Sequence, residues 1–263
     1  MIRAYFDESG TDDQDYVVVA GHAGRFNNWY AFMREWRPAL GARRDRLHMR
    51  ELRWNSRSTG HLLARLGPVA GEAGLLRILG GVRVADYAEL VEGNALAQLV
   101  RGFPAALITA LTALLRAAPD DEDVEVVLES SEVFNPYAAM IFTAAQQWDS
   151  PHHRKKNGEP KLSKASLLSK KSPNSWLLDQ ADYLSFAYLQ EARNPASKKA
   201  RWTAPIRGAH VGAILNRDQS RRFVSNLPPS PFSDAEMKLF FANVNGVLRR
   251  ARYDQCQPKC RPQ

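Results

Sequence analysis

The sequence predicts a single α/β domain in which helices flank a mixed β-sheet. Short apolar segments typical of strands alternate along the chain with longer segments whose apolar residues recur every three or four positions. Hydrophobic residues make up 44% of the 263 residues, which is enough for one large core. We expect this domain, with helical insertions, to occupy residues 1–225. A basic C-terminal appendage, consisting of one helix and a flexible tail, is expected at residues 226–263.

Five segments are predicted to be strands, because apolar and β-branched residues there lie between turn-forming residues. These strands are residues 2–6, 16–20, 81–85, 124–129 and 163–169. The first two are expected to form a hairpin, in which Asp7 and Glu8 end the first strand and Ser9-Gly10 begins the turn. In the fourth strand Glu125 and Glu129 point to the same side, and Glu129 stands where the strand ends.

Six segments are predicted to be helices from their apolar periodicity and end signals. These helices are residues 28–40, 61–79, 95–118, 135–148, 176–192 and 233–252, and the second is expected to be interrupted near Gly67-Pro68 and Gly71. The third is apolar nearly all round in its second half, which is typical of a buried helix. The fourth begins at Asn135-Pro136, with proline at an early position, and the last begins with a capping box from Ser233 to Glu236. The basic segment 191–222 is expected to pack on the core and to present cations to solvent.

Charge indicates the class of partner. The formal net charge of +8 favours polymers that carry phosphate, and an acidic protein partner is the alternative. The cations occur in runs, and we expect ten of them to contact nucleic acid. These are Arg43, Arg44, Arg50, Arg154, Lys155, Lys156, Lys170, Lys171, Lys198 and Lys199. The competing interpretation is that these runs only form a solvated surface.

Cysteine content and hydropathy indicate where in the cell the protein is located. Cys256 and Cys260 form a C-x3-C pair without a nearby histidine, which is a poor zinc signal. The chain has no disulfide framework, so a reducing cytoplasm fits. The most apolar stretch, residues 105–115, is too short to span a bilayer, and the first residues do not resemble a signal peptide. We therefore expect a cytoplasmic protein that does not contact membranes.

Three acidic residues stand where a mixed sheet would bring them together. Asp7 and Glu129 stand at strand ends, and Asp182 lies in the helix that follows the last predicted strand. Carboxylate oxygens suit Mg²⁺ and Mn²⁺, and two such ions about 4 Å apart can cleave a phosphodiester. We expect the three carboxylates to converge and to hold Mg²⁺ or Mn²⁺. Glu125 and Glu132 remain alternatives to Glu129 as the middle acid.

One further polar residue, Asp179, lies near Asp182, and another, His48, lies among basic residues. Asp179 is three residues before Asp182, so the two lie near one another on the helix surface. His48 follows Leu47 within a basic segment of the chain. Its imidazole could be a metal ligand, a proton shuttle or a phosphate contact, or only a hydrogen-bonded structural group.

Four short motifs occur in order within residues 1–190. They are Asp7-Glu-Ser-Gly10, Leu47-His-Met-Arg-Glu-Leu52, Ser169-Lys-Lys-Ser172 and Gln180-Ala-Asp182-Tyr-Leu. Together they resemble the domain of unknown function 3800 family, which is similar to the ribonuclease H-like superfamily. The resemblance implies a ribonuclease H-like fold with a carboxylate, metal-dependent active site, in which Asp7 is the first-strand acid and Asp182 the last-helix acid. It also places Gln180 and His48 at motif positions, and it suggests roles with mobile elements or antiviral defence.

The expected function is a two-metal nuclease that acts on DNA or RNA. In this hypothesis Glu8 is a further ligand or supports one, and Lys171 and His48 position phosphate or assist proton transfer. Gln180 and Ser9 support the site. Two alternatives remain open. One is a nucleic-acid-binding or assembly subunit that keeps the fold but does no chemistry, and the other is a transferase or phosphatase of small phosphates.

Overall fold

The computed structural model describes residues 1–10, 15–42, 44–91, 102–132, 134–148, 150–169, 171–172 and 174–225. Within them the chain forms a six-stranded mixed sheet flanked by helices, which confirms the predicted α/β class. The predicted helix at 233–252, the tail, Arg43 and Lys170 lie outside the described residues.

The sheet combines an antiparallel meander with parallel strands. Its strands are β1 Ile2–Ser9, β2 Tyr16–Gly24, β3 Leu76–Arg83, β4 Val124–Glu129, β5 Leu162–Leu168 and β6 His210–Leu215. They lie in the order β5-β4-β1-β2-β3-β6. Strands β1, β2 and β3 pair antiparallel, whereas β4 pairs parallel with β1, β5 with β4, and β6 with β3. Because β1 and β4 are parallel neighbours, their C-terminal ends meet at one edge of the sheet.

Nine helices are present in the described ranges. They are α1 Phe26–Leu40, α2 Arg57–Leu66, α3 Val69–Glu72, α4 Val84–Val91, α5 Gly102–Ala117, α6 Asn135–Gln147, α7 Asp179–Arg193, α8 Lys198–Thr203 and α9 Arg217–Ser225. Single 3₁₀ turns occur at Met49–Glu51, Ser175–Leu178 and Ala204–Ile206. No helix in this part of the chain is both long and apolar enough to cross a membrane.

Two apolar layers hold the helices on the sheet. Helices α5 and α6 pack on one face, where Phe6 contributes to the core. Helices α1, α2 and α7 pack on the other face, where Tyr5 contributes together with the buried Trp36 and Tyr183. Because consecutive residues of a strand face opposite sides, Tyr5 and Phe6 belong to different layers. The same alternation decides which later residues of β1 face α7.

Strand β3 and helix α5 come into backbone contact at Gly80. A Cβ atom at this position would stand 2.1 Å from the carbonyl oxygen of Ala106 and 2.5 Å from the amide nitrogen of Ala110. Real Cβ atoms do not approach backbone atoms so closely, so a glycine is required for α5 to pack against the middle of the sheet.

The structure corrects the predicted end of the first strand. Strand β1 continues to Ser9, so Asp7 and Glu8 lie inside it rather than after it. Asp7 pairs with Ala20 and Ser9 pairs with Val18 of β2. The ladder therefore satisfies the backbone through the two acidic residues, and local composition does not show this.

Three other element predictions differ from the structure. The helical segment predicted at 61–79 is interrupted at Gly67-Pro68 as expected, between α2 and α3, but it ends at Glu72 and gives way to β3 at Leu76. The predicted strand at 81–85 is thus placed too late. Strand β6 is not among the predicted strands, because its short apolar run lies within a basic segment and its strand structure depends on parallel pairing with the distant β3.

Gly80→Ala is expected to lower the free energy of unfolding by about 1–3 kcal/mol, because the added methyl group would overlap the backbone of α5. Equilibrium unfolding in urea measures this change. The matched control is Gly71→Ala in α3, where a Cβ would meet only the mobile end of the Arg77 side chain. Equal stability of the two variants would contradict the close contact between α5 and β3.

Candidate active site

The three predicted acids come from three different elements. Asp7 lies in β1, Glu129 is the last residue of β4, and Asp182 lies in the first turn of α7. Phe6 stands opposite Leu128 in the parallel ladder, so Asp7 and Glu129 each follow one residue later on neighbouring strands. Such strands lie roughly 4.8 Å apart, which makes the two acids cross-strand neighbours.

All three carboxylates lie on the face of the sheet that α7 covers. Tyr5 and Val127 belong to the apolar layer beneath α7, and Asp7 and Glu129 come two residues after them. Side chains two residues apart on a strand point to the same side. The exposed fractions are 5% for Asp7, 4% for Glu129 and 8% for Asp182. Burial of three acids on one face is costly unless polar partners or cations compensate.

Asp182 is held by the segment that contains His48. Its Oδ2 atom accepts a hydrogen bond from the backbone amide of Met49 at 2.9 Å and lies 2.8 Å from Nδ1 of His48. A carboxylate accepts only, so we assign the proton to Nδ1 of His48, which leaves Nε2 as the second nitrogen of the ring. The His48 side chain is 31% exposed, so the ring can contact solvent or a ligand.

Asp179, one helical turn earlier, binds the same segment. Its Oδ2 accepts from the amide of Leu47 at 2.8 Å, and its Oδ1 accepts from Nε of Arg46 at 3.2 Å. The amides of Leu47 and Met49 are two residues apart, and the two carboxylates are three apart on the helix. The first turn of α7 thus fixes the backbone beside His48.

Burial raises the pKa values of two of the buried acids, Asp179 and Asp7. Burial raises the pKa of Asp179 to about 7, against the lowering effects of the Leu47 amide and the Arg46 guanidinium. The pKa of Asp7 is raised well above its ordinary value, first by burial and then by the carboxyl groups of Glu8 and Asp182. Asp7 and Asp182 therefore repel one another when both are ionised. A cation between them would relieve that repulsion.

Two hydrogen bonds join α7 to the sheet. Gln180 accepts through Oε1 from Nδ1 of His22, a fully buried residue of β2. Burial lowers the pKa of His22 to about 3, so this imidazole is neutral. The hydroxyl of Ser185 donates to that of Ser9 at 3.2 Å. Gln180 and Ser9, which sequence motifs marked as supporting residues, thus orient the helix that carries Asp182.

His22, Arg46 and the paired amides were not predicted from the sequence as parts of the site. His22 is a lone histidine in the extension of an apolar strand, and nothing in the local pattern marks it. The sequence did indicate Asp179, because its spacing from Asp182 places both residues on one side of a helix.

The alternatives for the middle acid lie elsewhere. Glu125 is on the same strand as Glu129 but four residues earlier, and it accepts from Nε of Arg3 at 2.7 Å. Glu132 is exposed and lies beyond the end of β4. Of the three candidates, Glu129 is the one that stands beside Asp7.

The basic runs divide into two groups by position. Leu168 pairs with Glu129, so the exposed Lys171 follows at the same end of the sheet as the acids. Arg44 and Arg50 are exposed on either side of the segment that binds α7. The run at 154–156 is far from this end, because Lys155 binds Asp123 at 3.0 Å, just before β4 begins.

This second group does not flank the acids. Arg154 is half-buried and donates to the carbonyl of Gln147 at 3.3 Å, and Lys155 also pairs with Glu159 at 2.7 Å. Lys156 is exposed, but at the same remote end. Residues 154–156 therefore lie away from the acids, and their contact with nucleic acid stays a prediction. Lys198 and Lys199 belong to α8 and contact aromatic rings.

The donor atoms suit Mg²⁺ or Mn²⁺, since all three acids offer hard carboxylate oxygens. Among the residues that the structure describes, no three His, Cys, Asp or Glu side chains form a group that could hold a metal ion as they stand. The acids share one face, but a cation would have to draw their carboxyl groups closer together.

Comparisons with known proteins give no match: no protein-family model, no curated protein and no solved structure resembles the chain significantly. The resemblance to the domain of unknown function 3800 family therefore depends on the four sequence motifs alone.

Asp179→Asn is expected to change how stability depends on pH. In the unfolded wild type the carboxyl group of Asp179 loses its proton at its ordinary pKa of 3.8, whereas in the folded protein its pKa is about 7. The folded state binds more protons in that window, so the free energy of unfolding falls as pH rises from about 4 to about 7, by at most roughly 1.4 kcal/mol per pH unit.

The variant lacks this titration, so its stability relative to wild type should rise across the same window and level off above it. Urea unfolding at several pH values measures both proteins. Parallel curves would show that Asp179 is not protonated more readily in the fold.

Proposed function

We propose that the protein is a divalent-metal-dependent phosphodiester hydrolase that acts on DNA or RNA. The observation that carries this proposal is the position of Asp7, Glu129 and Asp182, which reach one buried face of the sheet from two neighbouring strands and a covering helix. A cation would compensate the charge of three carboxylates gathered on one buried face, and phosphate oxygens are the usual further ligands of Mg²⁺ and Mn²⁺.

The proposal includes membership of the ribonuclease H-like superfamily, as the motif resemblance implies. A mixed sheet with helices on both faces is compatible with that fold. The motif residues Asp7, His48, Gln180 and Asp182 are distant in sequence but belong to one site around the first turn of α7. This agreement between independent motifs supports the resemblance.

In the proposed site, Asp7, Glu129 and Asp182 would hold Mg²⁺ or Mn²⁺, which when bound supplies charge that polarises the phosphate and activates water. Asp182 keeps the proton of His48 on Nδ1, so Nε2 can accept a proton from water or return one to a leaving oxygen. Lys171 and Arg50 are exposed at this end and can hold phosphates on either side of the scissile bond.

One observation favours a second candidate, a nucleic-acid-binding or assembly subunit without activity. The Oδ2 atom of Asp182 already accepts two hydrogen bonds, and Oδ1 of Asp7 accepts one from the amide of Glu8 at 2.8 Å. These contacts stabilise the acids without a metal. Metal-dependent cleavage is the property that separates the two candidates.

Asp7→Asn is expected to abolish cleavage while nucleic-acid affinity without metal stays equal or becomes tighter. The amide keeps the shape, weakens metal binding and removes repulsion of the phosphate backbone. Asp182→Asn should behave in the same way. Labelled single-stranded and double-stranded DNA, RNA and hybrid are incubated with Mn²⁺, and binding and melting temperature are measured with and without the metal.

Glu125→Gln is the matched control, because Glu125 faces the same side but pairs with Arg3. It should cleave like the wild type, whereas Glu129→Gln should not. If Asp7→Asn and wild type cleave equally, Asp7 is not a metal ligand. If Mn²⁺ shifts no melting temperature and the wild type cleaves nothing, the non-catalytic candidate is the better one.

Nucleic-acid binding is expected to weaken with salt, with a log–log slope of roughly 0.9 for each phosphate neutralised on duplex DNA. Arg50→Ala and Lys171→Ala should each reduce the magnitude of this slope by about one. Lys155→Ala is the control, because Lys155 pairs with Asp123 and Glu159 at the remote end of β4. Fluorescence anisotropy at several salt concentrations measures the slopes, and a slope that only Lys155→Ala reduces would contradict the proposed surface.

A further inference from the structure

Three aromatic rings form a cluster where α7, α8 and the segment after His48 meet. The rings of Trp54 and Phe186 stack with centroids 5.2 Å apart and planes 15° apart. The ring of Trp202 lies 6.5 Å from that of Trp54, with planes 29° apart. We call Trp54, Phe186 and Trp202 the aromatic platform. Its members are far apart in sequence, so only the fold brings them together.

The platform is more exposed than the aromatic residues at the centre of this layer. Trp36, Phe32 and Tyr183 are fully buried, as residues that only fill a core usually are. Each ring of the platform is only partly buried, although Trp202 packs on Gly60 of α2. Aromatic surface that stays in contact with water in this way is available to a ligand with a flat apolar face.

Two lysines stand over the platform. Nζ of Lys198 lies 4.2 Å from the ring centroid of Trp202. Nζ of Lys199 lies 5.4 Å from the centroid of Trp54 and 5.9 Å from that of Phe186. Cations over ring faces are attracted to the π-electrons, and they also provide positive charge for an anionic ligand. Arg201 of the same helix is exposed and adds to this charge.

The platform adjoins the proposed catalytic acids. Phe186 is four residues after Asp182 on α7, so the two share one side of the helix, about one turn apart. Trp54 follows His48 after the single turn Met49–Glu51, and His48 contacts Asp182. A strand whose phosphate lies at the acids could therefore place a neighbouring base on the rings.

We propose that the aromatic platform and its lysines bind unpaired bases, and that the substrate is a single-stranded nucleic acid. This inference rests on the proposed function, because it names the substrate class of the same site. In a duplex each base is stacked and paired, so its flat face cannot reach a protein ring. In a single strand, bases can stack on aromatic side chains while lysines hold the phosphates, and every base offers a π-face.

The test measures binding without metal, so cleavage does not enter. The probes are a labelled oligothymidylate of roughly 12 nucleotides, an abasic strand of the same length and charge, and a duplex. The wild type should bind oligothymidylate roughly tenfold more tightly than the abasic strand for each stacked base. Trp54→Leu and Trp202→Leu should lose this preference and bind the abasic strand as the wild type does.

Leucine keeps apolar contact with Phe186, and melting temperatures show whether each variant folds. The matched control is Phe26→Leu, because Phe26 stacks on Tyr30 at an exposed position elsewhere on the surface. The Phe26→Leu variant should keep the preference for oligothymidylate over the abasic strand. The comparison of probes on the wild type requires no variant, so it tests the inference even if Trp54→Leu fails to fold.

Three outcomes separate the two proposals. If the wild type binds and cleaves nucleic acid but treats oligothymidylate and the abasic strand alike, the platform inference is overturned and the proposed function stands. If the base preference is present and depends on Trp54, but Mn²⁺ produces no cleavage, the inference stands and the hydrolase is overturned. If the wild type binds no probe at low salt, either without metal or with Mn²⁺, both are overturned.

Discussion

The geometry of the candidate site depends on hydrogen bonds that two carboxylates of α7 accept from one stretch of backbone. Asp179 and Asp182 accept hydrogen bonds from the amides of Leu47 and Met49, which fixes the connection after α1 against the first turn of α7. Buried carboxylates are costly without such donors, so the contact also accounts for the stability of α7 at this position. His48 lies between Leu47 and Met49, so these two hydrogen bonds determine how its ring is oriented.

The helix that carries these acids is itself held by a small set of buried polar contacts within an apolar layer. The Gln180–His22 contact and the Ser9–Ser185 contact join α7 to β2 and β1, and the hydroxyl of Tyr183 donates to the carbonyl of Leu63 in α2 at 3.0 Å. Apolar packing alone would allow a helix to slide or rotate on a sheet. Directional hydrogen bonds fix the rotation, and this decides that Asp182 faces the strand acids.

Charge is distributed unevenly around this framework. Acids are gathered on the face under α7, whereas Lys171, Arg50 and the lysines of α8 surround them at the surface. A polyanion would be attracted to the rim but repelled by Asp7 and Asp182 unless a cation neutralised them. The same arrangement allows a chain with net charge +8 to contain an acidic centre.

Periodicity and motifs are local properties of the sequence, so they indicated the α/β class, the approximate positions of most elements, and Asp7 and Asp182 as candidate site residues. The sequence did not indicate that β1 runs through Asp7 and Glu8, that residues 210–215 form a sixth strand, or that residues 154–156 lie at the end of the sheet opposite the acids. It also gave no sign of His22 or of the aromatic platform. These features depend on strand pairing and on contacts between distant segments, whose partners only the tertiary structure decides.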